Sequence, residues 1–263
     1  MEAKKRRVIK VSFQKKYRVD YGYPLEYERK TINEDDSILF FGLEIETDAY
    51  YRKSGKENYY YDVLEIADNY IRKIEDAKIS FFRGCKYDGS LKDGGAEFTT
   101  DILSKNYILS NKDIIMKSFE ILSEITWKGT CGLHIHASST DDSLRGKDIN
   151  KFVRQNRYFF ENLGGREFNN YCCDDIAEYH HSAVTINPGF NTIEYRFLSA
   201  AGSKYALWRR LLLVIALSDF FHGCAKKGIE GNFATFVKFV FEKEEYKALT
   251  RYRCFKAEKV EAV

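Results

Sequence analysis

The stretch Ile38-Leu39-Phe40-Phe41-Gly42-Leu43-Glu44-Ile45-Glu46 constrains the fold more than any other part of this chain. An apolar run that passes into strict alternation reads as a strand over 38–47. Successive strand side chains point to opposite faces. Leu43 and Ile45 therefore share one face and Glu44 and Glu46 the other, with the two carboxylates roughly 7 Å apart along the strand. An antiparallel sheet with one wet face accounts for this pattern. So does a site where a divalent cation lies between acids that would otherwise repel one another. Which applies depends on whether other strands repeat the pattern.

They do. In Cys131-Gly132-Leu133-His134-Ile135-His136-Ala137-Ser138, Leu133, Ile135 and Ala137 fall on one face, and His134 and His136 on the other. Two histidines on one strand face fit metal or phosphate contact as well as they fit structural roles. In Thr192-Ile193-Glu194-Tyr195-Arg196-Phe197 the apolar face holds Ile193, Tyr195 and Phe197, opposite Glu194 and Arg196. Those two are either a solvated ion pair or a metal carboxylate beside a phosphate-binding guanidinium. Glu97 alternates against Ala96 and Phe98, and Asp88 precedes Gly89 as a turn residue or a further acid. If these strands share a sheet, Glu44, Glu46, Glu97, His134, His136, Glu194 and Arg196 line one acidic face. Carboxylate oxygens with an occasional imidazole suit Mg²⁺ or Mn²⁺ better than zinc.

The remaining periodicities predict a helix over 59–77, strands at 79–91 and 95–100, and a helix opened by Ser110-Asn111-Lys112-Asp113 and closed by Gly129. They continue with a helix over 148–163 stopped by Gly164, and strands at 182–187 and 191–198 joined across Pro188-Gly189. A largely apolar helix follows at 203–225, then a helical C-terminal part at 232–250. Residues 8–30 alternate weakly, as in a hairpin. Strands and helices do not alternate regularly, which argues for an α+β fold with a largely antiparallel sheet.

Of the 263 residues, 44 % are hydrophobic and 31 % charged. With two prolines and no linker, the chain reads as a basic N-terminal extension (1–37) and one domain (38–263). The net charge of +3 does not by itself argue for nucleic acid, which stays open as a partner because Lys4, Lys5, Arg6, Arg7, Lys10, Lys15, Lys16 and Arg18 crowd the start. A solvated terminus explains the same residues. None of the six cysteines forms a Cys-x-x-Cys pair. No signal peptide opens the chain and Leu211–Leu217 is far short of a membrane span. A cytoplasmic protein with reduced thiols and no membrane partner is expected.

Taken in order, Phe41-Gly42-Leu43-Glu44-Ile45-Glu46, Asp88-Gly89-Ser90-Leu91 with Glu97, Cys131-Gly132-Leu133-His134-Ile135-His136, Arg154-Gln155-Asn156-Arg157-Tyr158 and Thr192-Ile193-Glu194-Tyr195-Arg196-Phe197 resemble the motifs of the amidoligase family of carboxylate–amine ligases. That family is similar to glutamate–cysteine ligase and, more distantly, to glutamine synthetase. The resemblance implies a curved antiparallel sheet with helices on its outer face and ATP with divalent ions (Mg²⁺ or Mn²⁺) on the concave one. It implies Glu44, Glu46, Glu97, His134, Glu194 and Asp88 as metal ligands. It implies His136 and Arg196 as catalytic residues at the nucleotide phosphates, and Arg157 as a further contact to nucleotide or substrate. Asn156, on an otherwise apolar helix stripe, takes a buried hydrogen-bonding role. The implied reaction joins a carboxylate to an amine through an acyl phosphate, and the partners are small-molecule, peptide or macromolecule-linked acids and amines. The polar residues alone leave two alternatives open: a metal-dependent hydrolase or nuclease, and an inactive nucleotide-binding relative.

Overall fold

The computed structural model describes residues 27–32, 38–48, 59–88, 91, 95–126, 131–170, 172–173, 181–189, 191–252 and 255. The expected hairpin lies outside the described residues up to position 26, as do the basic run at the start, Gly89 and Gly129.

The strands are β1 (Arg29–Lys30), β2 (Leu39–Asp48), β3 (Phe82–Asp88), β4 (Gly95–Thr100), β5 (Ile102–Ser104), β6 (Gly132–Ser139), β7 (Val184–Asn187) and β8 (Thr192–Ser199). The helices are α1 (Tyr59–Asp76), α2 (Lys105–Ser110), α3 (Lys112–Leu122), α4 (Gly146–Gln155), α5 (Arg157–Gly164), α6 (Lys204–Lys227) and α7 (Phe233–Glu242). Among the described residues these eight strands form one sheet. β6, β8 and β7 follow β2 on one side; β5 and β4 pair in turn with its other side. Among the described residues only β1 and β5 run parallel. The chain is thus mixed α and β on a mostly antiparallel sheet.

One face of the sheet is the core. Leu43, Ile45, Leu133, Ile135, Ala137, Ile193, Tyr195 and Phe197 are all buried on it. Helix α6 packs here, and the Tyr195 hydroxyl bonds Ser218 Oγ on that helix at 2.9 Å. Ser203 caps its start by accepting from the Ala206 N–H. Gly228 ends it at φ 64°, a conformation that favours glycine. Because α6 is buried on nearly every side, it reads as apolar rather than amphipathic. Each large side chain buried in such a core contributes about 1.5–3 kcal/mol. Among the described residues no helix is long and apolar enough to cross a membrane.

Three local expectations change. The predicted helix over 148–163 is two helices, α4 and α5, meeting at Asn156, whose backbone leaves helical geometry at φ −115°. Its side-chain amide donates to the Phe152 carbonyl at 2.8 Å, a half-buried hydrogen bond added to the backbone one at 3.2 Å. The Ser110-Asn111 start forms no side-chain cap; Asn111 instead donates to the Tyr107 carbonyl of α2, a helix capped by Ser104. Finally, β8 carries one extra residue against β6. Leu133 opposes Leu198 while Ile135 opposes Tyr195, a step of two residues answered by three. This bulge lets Phe197 and Leu198 both be buried in the core while Glu194 and Arg196 keep the other face.

Candidate metal centre

The register of five strands builds the polar face. Glu44 on β2 lies opposite His134 on β6 and Thr99 on β4. Glu46 lies opposite Glu97, which in turn faces Lys86 on β3. His136 lies opposite Glu194 on β8. Residues far apart in the chain thus become neighbours because each strand alternates and the pairing puts the polar members in rows.

Among the described residues two groups emerge with ligand atoms within 4.8 Å of one another: Glu44, His134 and Glu194; and Glu46, Glu97 and His134. His134 belongs to both. Its Nδ1 lies 3.7 Å from Glu44 Oε2 and 3.7 Å from Glu194 Oε1, and its Nε2 lies 3.4 Å from Glu46 Oε1. His136 Nε2 lies 3.4 Å from Glu44 Oε1, while its Nδ1 meets Thr192 Oγ1 at 3.0 Å. Glu46 also accepts from the Gly132 N–H, and Glu194 from Arg196.

These acids are not at the surface. Glu46, Glu97, His134 and Glu194 are only 4–6 % exposed. Isolated ionised groups so placed would cost several kcal/mol each, so their environment must compensate. Burial would raise the Glu44 carboxyl, yet the imidazoles of His134 and His136 beside it hold it well below the ordinary range. Burial pushes Glu97 up to about 7, reinforced by the charge of Glu44 and opposed by Lys86. Burial works against protonation of both histidines, but Glu44 raises each of them.

The donor set fits a divalent cation. His134 is 4 % exposed, and its Nε2 makes no hydrogen bond. Beside it, a side chain at Gly132 would put its Cβ 2.8 Å from that nitrogen, 2.8 Å from Glu46 Oε2 and 2.6 Å from Arg166 Nη1. Only a glycine leaves that space. Oxygen-rich ligands with one imidazole suit Mg²⁺ or Mn²⁺. A neutral imidazole has one lone pair. His134 can therefore ligate in one group while its other ring N–H steadies an acid of the second.

Of the residues expected from sequence, Glu44, Glu46, Glu97, His134, His136, Glu194 and Arg196 come together. Asp88 stands two residues beyond Lys86 on β3, opposite Gly95, and belongs to neither group. Arg157 bonds Glu161 at 2.9 Å and lies over the Phe168 ring, and Arg154 is in the last turn of α4. Sequence reading passed over several residues. Lys86 shares a strand face with Asp88, a signal the period-2 pattern contains. Arg166 follows Gly165, a left-handed residue against which Arg210 packs, and no local pattern marks it. Tyr27 and Arg29 come from the basic N-terminal part. Asp101, 1 % exposed, ties that segment down by accepting from the Glu28 N–H at 3.0 Å and from Arg83 at 2.7 Å. Arg29 then lies over Phe40, 5.1 Å from its ring centre. Tyr27, Arg29, Phe40, Gly42 and Thr100 help wall a cleft of about 190 Å³ that reaches Glu44 and His136.

No protein-family model matches this chain, and a search of curated proteins returns no match.

Proposed function

We propose that this protein is an ATP- and Mg²⁺-dependent carboxylate–amine ligase of the amidoligase type, with a glutamine synthetase-like sheet. The observation that carries the reading is the pair of ligand groups sharing His134, flanked on the same face by His136 and Arg196. Amide formation from a free carboxylate requires activation, and the γ-phosphate of ATP supplies it as an acyl phosphate. Divalent ions held by Glu44, His134, Glu194, Glu46 and Glu97 would screen the repulsion between substrate carboxylate and polyphosphate.

The chain's own residues supply the rest. Arg196, fixed by Glu194, offers a guanidinium to the phosphoryl group in transfer. His136, its ring oriented by Thr192, presents Nε2 toward the same face. The cleft beside Glu44 is smaller than whole-ligand pockets of roughly 300–1,000 Å³. It suits a planar base stacked among Tyr27, Arg29 and Phe40, with the phosphates lying over the open acidic face.

The test is release of ADP with a panel of carboxylates and amines. Glu44→Gln is expected to abolish turnover and Arg196→Ala to lower it by ~10³-fold or more. Full activity in both variants with a true substrate pair would sink the assignment. Neighbouring cation positions also serve two-ion hydrolysis. Metal-dependent cleavage of a phosphate ester without nucleotide binding would favour that second reading.

A further inference from the structure

We propose that Lys86 is a movable counter-ion that stands in for the second divalent cation and yields its place only to an incoming polyphosphate. The inference rests on the metal-dependent reading above. Its ground is the position of the ammonium: 2.6 Å from Glu97 Oε1 and 3.8 Å from Glu44 Oε1, so it spans one acid of each ligand group. The lysine side chain is 37 % exposed, against 7 % and 20 % for the two acids it bridges. It therefore lies on the solvent side of them, at the end of a flexible four-carbon stem.

A hard cation needs Glu97 Oε1 at about 2.0–2.1 Å. It could not share that oxygen with an ammonium without strong repulsion. The two groups are also unequal. If His134 gives its lone pair to the Glu44/Glu194 group, its other ring N–H turns to Glu46. The Glu46/Glu97 group is then left with acids alone and Lys86 as their positive partner. A polyphosphate arriving over this face offers the ammonium a better-exposed anion, and the lysine's departure opens Glu97. Loading of the second ion and binding of the anion thus favour each other, as linkage requires. The lysine is a positioning residue here until the anion arrives, when it contacts ligand directly.

The experiment is a Mn²⁺ titration of the full chain, followed by electron paramagnetic resonance and calorimetry, with and without inorganic triphosphate at saturating Mn²⁺. Wild type is expected to bind one Mn²⁺ tightly and a second only with triphosphate. Lys86→Met should bind the second ion at least tenfold more tightly than wild type without triphosphate, and bind triphosphate at least tenfold more weakly. Lys86→Arg, which keeps the charge, should hold the wild-type stoichiometry, so a merely loosened structure cannot imitate the result. Identical Mn²⁺ titrations of wild type and Lys86→Met would overturn the proposal while leaving the metal centre standing. Two tight ions in wild type without triphosphate would also overturn it. Absence of Mn²⁺ binding in every variant would remove the metal reading together with it.

Discussion

The two faces of this sheet are chemically opposite, yet both hold deeply buried side chains. On one, Leu133, Ile135, Tyr195 and Phe197 are 0 % exposed and packed among helices. On the other, Glu46, Glu97, His134 and Glu194 are only 4–6 % exposed, yet they are acids and an imidazole. The first face stabilises the fold by itself. The second costs free energy that pairing only partly offsets, since buried ion pairs rarely outperform apolar packing. A face kept in that state is explained by what it binds rather than by what it holds together.

The largest expected effect would separate the faces directly. Phe197→Ala removes a buried ring that packs edge-on against Phe160, and should cost about 3–5 kcal/mol in urea unfolding with or without Mg²⁺. On the acidic face, Mg²⁺ at a hundred times its dissociation constant should stabilise the wild type by about 2.7 kcal/mol. Gly132→Ala, whose Cβ would fall among His134, Glu46 and Arg166, should erase that gain in a thermal-shift assay. A Mg²⁺ response unchanged by Gly132→Ala would break the comparison.

A further effect, up to about 3 kcal/mol, concerns protons. Glu97, raised from 4.5 to about 7, contributes stability that is full below its ordinary value and lost as pH rises through 7. His134 and His136, raised above 6.5, contribute stability that is full below that value and lost at higher pH. Glu44, depressed, works in the opposite sense: its contribution is present above 4.5 and lost as pH falls well below it. Chelator-treated protein should therefore be most stable at mildly acidic pH and weaken toward pH 8. Glu97→Gln should flatten that decline, and Mg²⁺ should move the optimum upward because it displaces protons. Melting curves from pH 4.5 to 8.5 measure all three; a metal-free protein that gains stability toward pH 8 would contradict the account.

What could be read in the sequence was what repeats locally. The alternation around Glu44, His134 and Glu194 located three strands and their polar faces, and the strand expected at 38–47 is Leu39–Asp48. Helix α6 was visible because its apolar run is unbroken. The rest depended on pairing across the chain. No local pattern says that Lys86 faces Glu97, that Arg166 comes up beside Gly132, or that an N-terminal segment tied by Asp101 walls the cleft. The split at Asn156 was hidden for a different reason. Apolar residues continue the stripe on both sides of Asn156, and the break shows only in its backbone geometry and its side-chain bond to the Phe152 carbonyl.

The bulge in β8 has a consequence for how this strand can vary over generations. Its extra residue lets a single segment serve opposite faces out of phase, with Leu198 aligned to Leu133 and Tyr195 to Ile135. Substitutions between Thr192 and Ser199 alter one face at a time. A one-codon deletion there would rotate everything beyond it, turning a leucine toward the carboxylates or a charge toward the core. In lineages that keep the acidic face, this segment should hardly change in length, and Glu194 and Arg196 should keep their places within it.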